Sequence, residues 1–70
     1  MAKIIARTWE WDGGQWVLVL DHVFYGPTLQ RAREIMAAHA GTDAFFRGCT
    51  GSGRFRDIEC HTEITEYARA

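Results

Sequence analysis

The stretch from Gln15 to Tyr25 constrains this chain most. It reads as a β-strand carrying too many apolar residues for one wet face. Side chains alternate along a strand, so a strand with one solvated face alternates apolar and polar. Here regular alternation puts Trp16, Leu18, Leu20, His22 and Phe24 on one face. Val17, Val19, Val23 and Tyr25 fall on the other, broken only by Asp21. One helix covers only one face of a small sheet, so the second apolar face needs a cover from outside the fold. In 70 residues that cover is expected to be a second copy of the chain or another protein.

The rest of the chain supplies the sheet. Ala2 to Trp11 reads as a first strand, with Ile5, Arg7, Trp9 and Trp11 on one face and Ile4, Ala6 and Thr8 on the other. Asp12-Gly13-Gly14 offers the positive φ angles of a tight hairpin. Gly26-Pro27 then breaks the second strand, because proline lacks a donor for the ladder but suits a helix entrance. Thr28 is the expected N-cap. Leu29, Ala32, Ile35, Met36 and His39 or Ala40 form a helical stripe, and Gly41 is placed to end the helix in a left-handed conformation. The four alanines of this helix imply close approach to the sheet.

A short third strand is expected over Ala44 to Cys49, around Phe45-Phe46, followed by a turn at Thr50-Gly51-Ser52-Gly53. Arg54 to Tyr67 reads as a long fourth strand. Its apolar set is Ile58, Cys60, Thr62 and Ile64, with a bulge or bend near Arg56-Asp57. The expected fold is one α+β domain over residues 1–70, ordered ββαββ, a four-stranded antiparallel sheet with one helix packed on one face.

Bulk properties narrow the function. A domain of this size buries only about 60% of its unfolded surface. Yet 47% of its residues are apolar and 13% are aromatic, so some of that surface is expected to be buried on association. A net charge of −1 creates no overall field for nucleic acid or membrane. No apolar run approaches the roughly 20 residues of a membrane span. The N-terminal Met-Ala-Lys-Ile-Ile-Ala-Arg turns charged at once, unlike a signal peptide. Two cysteines are few for a small secreted domain, so a reducing cytoplasm is expected. Arginine outnumbers lysine seven to one and asparagine is absent, a bias that suits a GC-rich genome and an accessory protein of a bacterium or bacteriophage.

The chemistry-bearing constellations are few. Trp9, Trp11 and Trp16 cluster near one turn, and tryptophan is enriched at binding hot spots. With Val17, Val19 and Tyr25 they make the expected protein interface, self-associating as a homodimer or meeting another protein. The alternative is a nucleic-acid-binding domain using an Arg/Gly-rich hairpin over residues 47–56. There Arg47, Arg54 and Arg56 would hold phosphate and Phe55 would stack on bases. The acidic residues Asp57, Glu59, Glu63 and Glu66 beyond it oppose a continuing backbone.

A metal would have to use Cys49, Cys60, His61 and perhaps His22 or His39. Pairing across the expected hairpin separates the two cysteines by roughly 20 Å, which excludes a shared metal and a disulfide. No metal or other cofactor is expected. His61 between Glu59 and Glu63 reads as a polar ladder on a wet strand face, and no catalytic residues or enzymatic activity are expected.

Overall fold

The computed structural model describes residues 1–51 and 53–69. The element order is β1 (Ala2–Trp11), β2 (Trp16–Gly26), α1 (Leu29–Thr42), α2 (Ala44–Gly51), β3 (Arg54–Phe55) and β4 (Ile58–Tyr67). The strands form a four-stranded antiparallel sheet in the order β2-β1-β4-β3, and the helices pack on one face of it. The fold is α+β, as the sequence indicates, with a second helix in place of a strand.

The first hairpin follows from its turn residues. Asp12 Oδ1 accepts the N–H groups of Gly14 and Gln15, at 3.0 and 2.9 Å, while Gly13 takes φ +96°. This closes Trp11 against Trp16. The β1–β2 register then runs regularly to Trp9 opposite Leu18 and resumes with Thr8 opposite Leu20. Val19 is the extra residue of a β-bulge, and the bulge changes the phase of β2. Leu20, His22 and Phe24 face the helices with Thr8, Ala6 and Ile4. Trp16 and Leu18, expected beside them, join Asp21, Val23 and Tyr25 on the opposite face with Trp11 and Trp9. Val17 pairs with Glu10 and so belongs to the helix side of the sheet.

Thr28 caps α1 as expected, its Oγ1 accepting the Arg31 N–H at 3.2 Å. The α1 stripe meets a covered face made of small residues. Ala2, Ile4, Ala6 and Thr8 of β1 are fully buried, and the core cluster joins Ile4, Ala6, Phe24, Ala32 and Phe46. Thr8, the one buried polar residue among the described residues, shares a 2.9 Å hydroxyl hydrogen bond with Thr62 of β4. Close approach is most acute at Gly26, where an added Cβ would lie 2.7 Å from the Ala32 amide nitrogen. Across the sheet the guanidinium of Arg33 donates two hydrogen bonds to the Glu66 carboxylate, at 2.7 and 2.8 Å, fastening α1 to β4.

Gly41 does not end the helix; α1 runs through it to Thr42 and is closed by the Asp43 N–H donating to His39 O. Asp43 then starts the next helix, its Oδ1 accepting the Phe46 N–H at 2.9 Å. Residues 44–49 are therefore helix α2, not the expected third strand. The Asp43 cap and the three-residue spacing of buried Phe46 and Cys49 outweigh the β preference of Phe45-Phe46.

The expected turn Thr50–Gly53 contains Ser52, which lies outside the described residues; Thr50 and Gly51 finish α2, and Gly53 takes φ +75°. The bend anticipated near Arg56-Asp57 is a full reversal. Both residues are left-handed, at φ 52° and 65°, as a tight hairpin between β3 and β4 requires. With α2 in place of a strand, the cysteines are not far apart. Cys49 and Cys60 form a disulfide with Cα atoms 5.3 Å apart, linking α2 to β4. Among the described residues no helix is long and apolar enough to cross a membrane.

Candidate functional site

The face of the sheet away from the helices is crossed by no other element among the described residues. Its layout follows from register. Lys3, Tyr25 and Tyr67 form one row; Ile5, Val23 and Thr65 the next; then Arg7, Asp21 and Glu63; then Trp9, Leu18 and His61; and last Trp11 with Trp16. Two apolar areas therefore flank a charged row. The tryptophan area is knit by edge-on ring contacts, Trp11 on Trp16 at 5.4 Å and Trp16 on His61 at 4.5 Å. In the tyrosine area the Lys3 ammonium lies over the Tyr67 ring, 5.2 Å from its centre.

Exposure on this face is unusual for residues of this type. Leu18 is 43% exposed, Val23 42% and Tyr25 53%. Trp11, Trp16 and Tyr67 are also exposed. Scattered surface hydrophobics are ordinary, but a contiguous set on one face marks a contact region. Between the two apolar areas Arg7 stands 3.8 Å from Asp21 and is paired across the ladder with Glu63. His61 stands 3.8 Å from Glu63. The central row thus carries both signs of charge.

Five of the six residues expected at an interface lie in or beside this area. Trp9, Trp11, Trp16 and Tyr25 face outward together, and Val19 sits in the bulge at its margin. Val17 does not belong, because its pairing with Glu10 places it on the helix side. Leu18 and Tyr67 are members that alternation alone misplaced or left out of phase. For Leu18 the missing signal is the bulge, which leaves no mark in the residue pattern.

The 47–56 segment is not a hairpin. Arg47 lies on α2 and donates to the Ala40 carbonyl at 3.0 Å. Arg54 belongs to β3, and Arg56 sits in the β3–β4 turn with its guanidinium 5.2 Å from the Phe55 ring centre. Phe55 itself packs on Phe45 and lies against Gly48. The expected phosphate cradle, three arginines around one Gly-rich turn, is replaced by a helix, a short strand and a separate turn.

A second grouping lies on the helix side. His22 of β2, His39 of α1 and Asp43 between the helices each bring a donor atom within 4.8 Å of the other two. His61 and the cysteines take no part in it; the sulfurs are bonded to each other. No family model, curated protein or solved structure matches the chain.

Proposed function

We propose that this chain is a non-enzymatic protein-binding module whose open sheet face pairs with a second copy of itself. One observation carries the reading: the Val19 bulge brings Trp16 and Leu18 beside Trp9, Trp11, Val23 and two tyrosines on the sheet face that no other element crosses among the described residues. The dimensions suit it. The Cα trace is a slab of 39 × 22 × 13 Å, whose broad face offers roughly the 800 Å² that each partner buries in a standard interface. Self-pairing is favoured by the charge pattern, because a row holding Arg7 beside Asp21 and Glu63 complements its own copy. Packing two such faces would make a sheet-on-sheet core with helices outside.

The disulfide favours an oxidising compartment over the cytoplasm expected from the cysteine count. The arginine hairpin that motivated nucleic-acid binding has no counterpart in the fold, and the open face carries Asp21 and Glu63 as well as its two cations.

Sedimentation and light scattering of the wild type, Leu18→Glu and Val23→Glu test the reading. The wild type is expected to be dimeric, and each variant monomeric with its far-ultraviolet circular dichroism unchanged. A wild type that stays monomeric at high concentration overturns self-association. Salt-sensitive binding to random oligonucleotides, lost in an Arg54→Ala/Arg56→Ala double variant, would replace the protein-binding reading altogether.

A further inference from the structure

On the opposite side of the sheet, we infer that His22, His39 and Asp43 form a binding site for a divalent transition metal of the zinc class, with a coordination position left open. The grouping draws on three elements. His22 projects from β2 toward the helices, His39 lies in the last turn of α1, and Asp43 is the residue between α1 and α2. Two imidazoles and one carboxylate are a ligand set that zinc takes with water or a substrate in the fourth place.

The spacing suits a metal. The three donor atoms lie within 4.8 Å of one another. Zinc bonds of about 2.0–2.2 Å set tetrahedral donors roughly 3.4 Å apart, so closure needs shifts of about 1 Å. His39 Nε2 and Asp43 Oδ2 are already 3.2 Å apart.

The hydrogen bonding is the independent observation. His22 Nδ1 and His39 Nε2 are shielded from solvent, and neither has a hydrogen-bond partner. A shielded polar nitrogen without a partner is costly, and few occur in a native fold. Here two occur on rings whose centres are 4.6 Å apart. His39 Nε2 is in contact with Asp43 Oδ2, yet the two are not aligned as a hydrogen bond. Lone pairs from both toward a shared cation would satisfy this geometry.

The surroundings fix the ligands. Phe46 and Phe24 pack against both imidazole rings, at centre distances of 5.2–5.8 Å. The Phe46 N–H holds Asp43 Oδ1, leaving Oδ2 for the site, as outer-shell partners orient metal ligands.

The test is titration of the disulfide-intact, tag-free chain with Zn²⁺ and with Co²⁺. One equivalent is expected to bind, to raise the melting temperature by mass action and, for Co²⁺, to give the strong visible absorption of a low-symmetry four-coordinate ion. His22→Gln and Asp43→Asn are expected to weaken binding by about 100-fold or more. His61→Gln on the open face should leave it intact. Absence of saturable binding to the wild type overturns the site, whatever the variants do. Equal binding in folded His22→Gln, or loss in His61→Gln, overturns it as well. Because the grouping and the open face lie on opposite sides of the sheet, the oligomer measurement and the metal titration fail independently.

Discussion

On its covered face β1 presents Ala2, Ile4, Ala6 and Thr8; on its open face it presents Ile5, Arg7, Trp9 and Trp11. The small residues let the alanine-rich α1 lie close, as at Gly26 and Ala32. The large residues stand on the face that no other element crosses among the described residues. A fold that maximised the stability of a lone chain would bury its largest side chains inside. Here Ile4, Phe24 and Phe46 supply the inner bulk, and all three tryptophans lie on the other side. The contrast is between a covered face that holds the chain together and an open face whose apolar area the proposed self-pairing would use.

If the two faces divide the work this way, substitutions should sort by face. Phe46→Ala on the covered side is expected to cost about 3–5 kcal/mol, enough to threaten a small domain. Chemical denaturation measures it, and a loss under 1 kcal/mol would mean that the helix layer is not the core. Reducing the Cys49–Cys60 bond is the next largest effect. Closure of so short a loop is worth about 2–4 kcal/mol, read as a shift of the urea midpoint with and without reductant.

On the open side the expectation reverses. Leu18→Glu should change the stability of the monomer by only about 0.5 kcal/mol. It should raise the dimer dissociation constant by roughly 30-fold, as loss of a 2 kcal/mol hot spot would. If Leu18→Glu unfolds the chain under conditions where the wild type is monomeric, the two faces do not divide the work.

The smallest expected effect is electrostatic. Hydrogen bonding to Arg33, with its charge, lowers the Glu66 carboxyl below its ordinary value of 4.5. A depressed folded value means that the pair stabilises fully above that ordinary value, and the contribution fades as pH falls through the lower folded one. Arg33→Ala should therefore flatten the acid limb of the stability–pH curve by a modest amount, since the pair is solvent-exposed.

Local chemistry was legible in the residues. Asp12-Gly13-Gly14 specified the first turn, Thr28 the helix cap, and the Leu29–Ala40 stripe the face that packs. What was not legible were features set by context. The Val19 bulge turns on one unpaired residue, and it alone moves Trp16 and Leu18 across the sheet. Helix α2 has only eight residues, two of them adjacent phenylalanines, so pattern favoured a strand. The same helix brings Cys49 to Cys60, which a hairpin over these residues would hold far apart. That the tryptophans gather on one surface is legible all the same, because most of its members lie on β1 or beside the first turn. His22 and His39 were visible singly, but their meeting with Asp43 depends on how the helices dock.

The strand order has a consequence for growth by edge addition. β2 ends the sheet, and its outer edge is 11 residues long with Asp21 as its sole formal charge and no proline or lysine. Such an edge is a template for another strand. At the far end, β3 pairs only Arg54 with Glu59 and Phe55 with Ile58 of β4, and the rest of β4 carries Glu63 and Glu66. The long β2 edge, rather than the short β3 margin, is therefore the side on which a further strand would add.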